Sequence, residues 1–351
     1  MNWNGKQHIE RCLSSLEKMN YPCDRYEVLF VDNCSTDGSV DFVKTKFPWV
    51  NVVIFEKNYG FAEANNLSLK YTVGDYLVFL NNDTEVTVDW LLKLVNASKT
   101  HMSPICCSKT LFLSNPEIVH YSGAKFVING RGSSTAFFRK NSSILNTDFY
   151  TGYPCATSML IKRDIFVKLG GFDPDYFACL DDTDLGWRAW LLGYSVLCCP
   201  SSVVYHAVGG TTGMARMSSM RAFQGTKNAL MNILKNLEFK NIAKGIAVAI
   251  VYDYIEFLLL LKRKDNRYAI NKVKGYLWVL KNLRKIIRKR RVIQKKRRVS
   301  DKWLCDNGFM SSLSEAIHEY LRLSKLDSNN LWGAPRSEFQ ALDKHHLGNK
   351  N

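Results

Sequence analysis

The sequence has no uninterrupted apolar run of membrane-spanning length, no Cys-x-x-Cys pair and no signal-peptide pattern at its start. Its longest apolar run, residues 245–261, falls short of the roughly 20 residues that cross a bilayer. Asp253 and Glu256 also interrupt that run. We therefore expect it to be buried or to lie at a membrane interface rather than to span a membrane.

Ten cysteines occur in the chain, and four of them form the adjacent doublets Cys106-Cys107 and Cys198-Cys199. Most lie within apolar runs and none has the spacing of a zinc site. We expect a reducing compartment, in which cysteine acts as a small buried hydrophobic residue.

Basic charge is confined to one segment. Lys262 to Lys302 contain eighteen Lys or Arg against two Asp, so this segment alone accounts for the formal net charge of +16. The remainder of the chain is close to neutral, as in an ordinary globular domain.

Strand-like and helix-like patterns alternate over the first hundred residues, which predicts an α/β fold with a mostly parallel sheet and flanking helices. Strands are predicted at 27–31, 51–55, 75–80 and 195–199, and helices at 9–19, 40–47, 61–71, 88–98, 163–169 and 184–192. We expect a catalytic domain over 1–225, a basic amphipathic helical segment over 226–302, and a polar tail with a short helix over 303–351.

Acidic residues stand where predicted strands end. Asp32 and Asp83 each follow an apolar run, His206 closes another, and Asp181-Asp182-Thr183-Asp184 precedes a helix. Such positions predict a site at the carboxyl edge of an α/β sheet.

Six blocks occur in an order that resembles the family 2 inverting glycosyltransferases, in their rhamnosyltransferase-like subgroup. The blocks are Asn2-Trp3-Asn4-Gly5, residues 31–39 around Asp32, residues 58–66 from Asn58, residues 80–85 around Asp83, Gly170-Gly171-Phe172-Asp173, and residues 181–185. The resemblance implies a GT-A type, Rossmann-like nucleotide-sugar-binding fold with a C-terminal helical appendage.

The resemblance also implies where a nucleotide would bind. Asp32 is similar to the family's acid that reads uracil or thymine, and Asn4 completes that pocket. The alternative for Asp32 is a capping role in the turn that follows it. Asn58, Gly60 and Asn66 resemble a loop and helix start beside the nucleotide sugar, where Gly60 permits close backbone approach.

A metal site is implied at the family's Asp-x-Asp element, here Asn81-Asn82-Asp83. Asp83 and His206 would hold Mg²⁺ or Mn²⁺ on the sugar-nucleotide diphosphate, with Asn81 and Asn82 beside the donor. An aspartate at a strand end is otherwise a cap, and a histidine there is otherwise a rim residue. The glycines and threonines at 209–213 suggest a loop that closes over the donor.

Asp182 is similar to the family's general base, which deprotonates the acceptor hydroxyl for inverting attack. Asp181 replaces the usual Glu in the acceptor-binding position, and Trp187 is expected to contact substrate. Asp184 fits the first turn of the helix, where an acid is favourable.

The family's first strand has about five apolar residues before the Trp-Asn pair, whereas two residues precede it here. Either the natural start lies upstream or an edge of the nucleotide pocket is missing. We expect the former, because losing a central strand would cost several kcal/mol of apolar burial.

These features predict a metal-dependent inverting glycosyltransferase that uses a UDP- or dTDP-sugar and a glycan or polyprenyl-linked acceptor. The alternative is a catalytically impaired nucleotide-sugar-binding or scaffolding protein.

The basic segment predicts a cytoplasmic enzyme, peripheral on the inner face of the cell membrane and attracted to anionic lipid. Nucleic acid attracts the same charges. We do not expect a nucleic-acid partner, because no aromatic stacking platform is recognisable.

Overall fold

The structure is a computed structural model that describes residues 1–144, 146–208, 219–261 and 266–325. Within these ranges the helices are α1 Lys6–Glu17, α2 Ser39–Lys46, α3 Gly60–Ser68, α4 Trp90–Thr100, α5 Arg163–Leu169, α6 Asp181–Leu191, α7 Ser219–Asn236, α8 Phe239–Leu261, α9 Asn266–Lys281, α10 Leu283–Lys295, α11 Asp301–Asp306 and α12 Leu313–Lys325. The strands are β1 Leu29–Asp32, β2 Asn51–Ile54, β3 Tyr76–Leu80, β4 Thr84–Val86, β5 Ile105–Phe112, β6 Asn115–Tyr121, β7 Ala124–Phe126, β8 Gly132–Ser134, β9 Phe149–Tyr150, β10 Ser158–Lys162 and β11 Val196–His206.

A central sheet has the strand order β3-β10-β5-β11-β4, with β6 beside β5 and β9 beside β11. β11 runs parallel to β5, but β10 runs antiparallel to both β3 and β5, and β4 runs antiparallel to β11. The predicted α/β class is confirmed, whereas this sheet is mixed rather than mostly parallel. The difference arises because β10 returns between β3 and β5 after the long excursion of residues 113–157.

Helices cover both faces of the sheet, and alternation along the strands supplies both layers. Cys106 of β5 and Leu160 of β10 pack in the same cluster as residues of α1 and α4. Cys107 and Met159, their neighbours in sequence, pack in the cluster that holds residues of α5, α6 and α7. The adjacent cysteines are therefore buried on opposite faces, and β5 is buried along its whole length.

β1 and β2 form a separate parallel pair. A cavity of about 610 Å³ lies between β1 and β3, lined by residues of both strands and of α1 and α4. Beside this cavity, where β1 ends, Asn2 forms a parallel bridge to Asp32, and the N–H of Asn2 donates to the Val31 carbonyl at 2.8 Å. One residue thus continues the ladder beside β1, next to the predicted nucleotide pocket.

The C-terminal helices pack onto the α/β part of the chain through α7, which contacts α6, α8, α9 and α10. The boundary predicted at residue 226 falls inside α7, which begins at Ser219. In the part of the chain that the structure describes, no helix is both long enough and apolar enough to cross a bilayer. The predicted tail lies mostly outside the described residues, apart from α11 and α12.

Candidate active site

The predicted nucleotide pocket lies where β1 and β3 end. The Asn2 amide donates to Oδ1 of Asp32 at 2.9 Å, and its Oδ1 accepts from the Asn82 amide at 2.6 Å. Asp32 is buried, and its Oδ2 accepts from the N–H of Ser35 at 2.8 Å. Asp32 therefore caps its own turn, and its contact with a base stays a prediction. Asn2 ties the two strand ends together.

Asn4 stabilises the turn beside Asp32. Its backbone is in the left-handed region at φ 49°, and its Oδ1 accepts from the N–H of Thr36 at 2.8 Å. Its own N–H donates to Oγ of Ser35 at 2.9 Å. Asn4 thus lies beside the Asp32 turn, and its part in a nucleotide pocket stays a prediction.

The loop before α3 has a backbone that only glycine fits. Oδ1 of Asn58 accepts from the N–H of Gly60 at 2.8 Å and from the amide of Asn33 at 2.9 Å. Gly60 has φ +75°, and a Cβ there would lie 2.5 Å from the carbonyl oxygen of Phe177. The loop from Asn58 is therefore packed directly against the segment that leads to α6.

Asp83 and His206 form a buried pair at the ends of β3 and β11. Nε2 of His206 lies 3.1 Å from Oδ1 of Asp83, within ion-pair distance. That contact does not have hydrogen-bond geometry, so Oδ1 of Asp83 has no hydrogen-bond partner. The other ring nitrogen of His206, Nδ1, has none either. Burial would raise the pKa of Asp83, but the His206 charge and smaller contributions, among them His8, together lower it below its usual range.

The orphaned Oδ1 of Asp83 beside an imidazole fits a divalent cation, because both are ligands that such ions accept. Among the described residues no group of three His, Cys, Asp or Glu could hold a metal ion. The protein would thus supply Asp83 and His206, and oxygens of a bound diphosphate would complete the coordination.

Asp182 lies at the start of α6 and is partly exposed. Its Oδ1 accepts from the N–H of Thr183 at 2.7 Å, and its Oδ2 accepts from the N–H of Ala156 at 3.3 Å. Burial raises the pKa of Asp182, and these hydrogen bonds offset the effect only in part. Burial, then the Asp182 charge, raise the pKa of Asp181 well above its usual range. A carboxylate with a raised pKa is suited to accept a proton.

Short contacts connect the three predicted acidic positions. The segment that contacts Asp182 leads into β10, and there the N–H of Asn81 donates to the Thr157 carbonyl at 3.1 Å. The residues after Asn81 are Asn82, which Asn2 links to Asp32, and Asp83. Asp32, Asp83 and Asp182 are thus connected through short contacts along the ends of β1, β3 and β10.

Two predicted site residues have other roles. Trp187 is fully buried and stacks on Phe126 at 4.5 Å between ring centroids, so the expected substrate contact of Trp187 is wrong. The helix period turns position 187 to the core, not to the pocket. The Asn66 side-chain amide donates to the carbonyl of Phe172 at 2.7 Å, and its Oδ1 accepts from the N–H of Phe172 at 2.9 Å. Asn66 therefore holds the Gly170-Gly171-Phe172 loop in place.

Asp184 has the structural role expected of a first-turn acid. It is fully buried, and its Oδ2 accepts from Nε of Arg188 at 2.8 Å. Nζ of Lys235 lies 2.8 Å from its other oxygen. The partner on α7 was not apparent from the sequence.

A strained loop carries Asp181 and Asp182. Phe177, Cys179 and Leu180 all have φ between 57° and 71°, which is costly for residues with a side chain. The buried Asn228 on α7 donates its amide to the carbonyls of Tyr176, Ala178 and Cys179 at 2.6–3.1 Å. Sequence reasoning missed Asn228, because an asparagine within a helical pattern gives no signal of a distant loop.

The glycine- and threonine-containing loop predicted to close over the donor, residues 209–213, lies outside the described residues.

Comparison with known proteins gives the family. Residues 2–170 match the model of "Glycosyl transferase family 2". The poly(ribitol-phosphate) beta-glucosyltransferase of Bacillus spizizenii is 30% identical over 194 residues, which are 54% of this chain and 28% of that protein. The N-acetylglucosaminyl-diphospho-decaprenol L-rhamnosyltransferase of Mycobacterium tuberculosis is 25% identical over 241 residues, 61% of this chain and 76% of that protein.

The fold is shared with solved structures. The crystal structure of GalNAc-T7 with UDP, GalNAc and Mn²⁺ superimposes with a TM-score of 0.55 at 17% identity, covering 66% of this chain and 46% of that one. Since the chain spans only 28% of its Bacillus relative, the match identifies a domain and its fold rather than a whole protein's activity. Residues 2–170 are therefore a glycosyltransferase family 2 domain, and the fold is of the GT-A type.

Proposed function

We propose that this protein is a metal-dependent inverting glycosyltransferase. It moves a sugar from a UDP- or dTDP-sugar to a hydroxyl of a glycan or polyprenyl-linked acceptor, in the synthesis of a cell-surface polysaccharide or glycoconjugate. The observation that carries the proposal is the connection of Asp32, Asp83 and Asp182 through short contacts at the ends of β1, β3 and β10, close to residues that match a family 2 domain.

In this proposal Asp182 acts as the general base. It takes the proton of the acceptor hydroxyl as the hydroxyl oxygen attacks the anomeric carbon, and the bond from that carbon to the nucleoside diphosphate breaks on the opposite face. The configuration at that carbon is therefore inverted. Asp181 lies beside it at the acceptor side, and the raised pKa of Asp182 supports the role of proton acceptor.

Asp83 and His206 would hold the cation, and Asn81 and Asn82 would border the diphosphate. When bound, the cation neutralises negative charge on the leaving diphosphate. The protein's part is to keep the Asp83 oxygen buried and free of hydrogen bonds. The GalNAc-T7 structure, which contains UDP and Mn²⁺, supports a divalent ion without choosing Mg²⁺ or Mn²⁺.

The names of the relatives support the acceptor class. One is named for poly(ribitol phosphate) and the other for an N-acetylglucosaminyl-diphospho-decaprenol. We propose that this chain works likewise on a glycan or lipid-linked acceptor, from the cytoplasmic side and peripheral on the inner face of the cell membrane. Its basic C-terminal helices support attraction to an anionic membrane.

The test is Asp182→Asn. We expect nucleotide release that depends on added polyprenyl-linked glycan to be lost, while UDP binding with Mn²⁺, measured by calorimetry, persists. Asp164→Asn is the matched control, because Asp164 is an exposed aspartate on α5. Acceptor-dependent turnover that survives in Asp182→Asn contradicts the base assignment.

A second function, a nucleotide-sugar-binding or scaffolding protein without turnover, is favoured by the cavity between β1 and β3. That cavity leaves the strand that carries Asp32 paired on one side along most of its length. The two functions differ in one assay. A transferase releases nucleotide from a panel of UDP- and dTDP-sugars when Mn²⁺ is added, whereas a binding protein shifts its melting temperature with the same ligands but releases none.

A further inference from the structure

Helix α9 turns an apolar row toward solvent. Ile270, Val273, Leu277 and Leu280 follow one another at spacings of three and four residues, and they are 52–67% exposed. In a water-soluble domain such a row faces the core.

Helix α8 presents apolar side chains in the same way. Ile250, Val251, Tyr254 and Ile255 are 41–59% exposed. We name these eight side chains of α8 and α9 the α8–α9 outer face. Scattered exposed apolar residues are ordinary, but two helical rows are a patch that marks an interaction site.

The inner side of the same helix pair is charged. Nζ of Lys272 lies 2.6 Å from Asp253 and 2.5 Å from Glu256, and Arg131 donates to Asp253 at 2.9 Å. Tyr276 donates to the other oxygen of Asp253 at 2.9 Å. Lys272 and Asp253 are buried, so rotating the helices to bury the apolar rows would break paired charges. These paired charges fix which side of each helix faces inward.

The charge around the outer face is of one sign. Residues 266–300 contain fourteen Lys or Arg and no Asp or Glu. The spacing of the apolar row on α9 continues into α10 with Arg284, Arg288 and Arg291, all of them exposed. An apolar row followed by a basic row matches an anionic lipid surface, because apolar side chains can contact acyl chains and basic side chains can contact the headgroups.

We propose that the α8–α9 outer face docks on an anionic lipid bilayer, with its apolar side chains at the boundary of headgroups and acyl chains and the basic row of α10 against lipid phosphates. A second copy of the chain fits less well, because a symmetric contact would bring two strongly basic surfaces together. This inference deepens the membrane location proposed above and does not depend on sugar transfer.

The experiment is sedimentation of the whole protein with vesicles. One set consists of phosphatidylcholine alone, and in the other phosphatidylglycerol replaces part of it. Val273→Glu is compared with Val167→Glu, because both valines are helical and 57% exposed, but Val167 lies on α5 outside the outer face. Melting temperatures check that both variants fold.

We expect the wild type to bind anionic vesicles, less so at high salt, and Val273→Glu to weaken partitioning by about tenfold. Val167→Glu keeps wild-type binding. Arg284→Gln with Arg288→Gln weakens binding by about fivefold per charge. Equal loss in Val167→Glu and Val273→Glu overturns the proposal. So does a wild type that ignores vesicles, or a dimer that Val273→Glu dissociates while vesicle binding persists. Nucleotide release, assayed without vesicles, is unaffected in all of these variants. That assay therefore tests the proposed sugar transfer separately from membrane docking.

Discussion

Lys235 is the cation on which the contact between the C-terminal helices and the α/β domain depends, and replacing it with Met should be severely destabilising. Its Nζ lies 2.6 Å from Oδ2 of Asp173 and 2.8 Å from Oδ1 of Asp184, and the side chain is 1% exposed. Met keeps the stem and volume of the side chain but removes the charge. Two buried carboxylates then share one cation fewer.

The magnitude follows from that burial. Removing one partner of a buried ion pair costs about 3–5 kcal/mol, because the remaining charge stays desolvated. For a domain of this size each kcal/mol lowers the melting temperature by about 2–4 °C, so a drop of about 6–20 °C is expected. Lys289 beside Asp173, and Arg188 beside Asp184, keep the variant from losing every compensating charge.

The assay is thermal unfolding of Lys235→Met beside Lys168→Met. Lys168 pairs with Asp164 at 2.8 Å on an exposed helix face, so its replacement should leave the melting temperature unchanged. Similar melting temperatures for the two variants would refute the reasoning.

The pH dependence of this cluster adds a second check. Burial would raise the pKa of both Asp173 and Asp184, but nearby cations outweigh it, and the pKa of each is lowered. A lowered native pKa gives stability that is present above the unfolded value of about 3.9 and is lost as the pH falls through the native value. The advantage of wild type over Lys235→Met should therefore shrink in acid.

Three further outcomes are expected. Because burial raises the pKa of Asp182 and the base must be deprotonated, the transfer rate should rise with pH through a midpoint above the usual 3.9 of aspartate; a midpoint at or below that value contradicts the base role. Gly60→Ala should lower donor affinity and melting temperature more than Gly170→Ala, since both glycines have positive φ but a Cβ at Gly170 meets nothing within 4 Å. Asn228→Ala should reduce kcat with little change in UDP affinity, while Asn271→Ala, which removes a helical asparagine bonded within its own helix, should match wild type.

The fold was predictable wherever periodicity was strong and local. The helix predicted at 163–169 has those bounds, and the helix predicted at 40–47 is shifted by one residue. The strand predicted at 195–199 continues to His206, beyond a register shift between Cys199 and Val203. Strand direction was not predictable, because hydrophobic pattern does not distinguish parallel from antiparallel pairing in a strand buried on both faces.

The site was predictable where function requires a particular residue in a short motif. Asp32, Asp83 and Asp182 are connected by short contacts at the ends of β1, β3 and β10, and their roles stay predictions. The predicted substrate contact of Trp187 is wrong, because helical geometry turns this position to the core. The contributions of Asn228 and Lys235 depend on contacts across some fifty residues or more, which no local pattern encodes.

Helix α7 connects the proposed sugar-transfer site with the proposed membrane-docking surface, the α8–α9 outer face. On one side Asn228 fixes the strained loop before Asp181, and Lys235 binds Asp184 one turn later. On its other side α7 packs against α8 and α9, whose outer face is apolar. A displacement of α8 and α9 would therefore be transmitted to Asp182, the proposed base, through α7 and the strained loop before Asp181. We therefore expect Asn228→Ala to abolish any activation of sugar transfer by anionic vesicles while leaving vesicle binding intact, and a variant that keeps the activation would show that the two ends of α7 act independently.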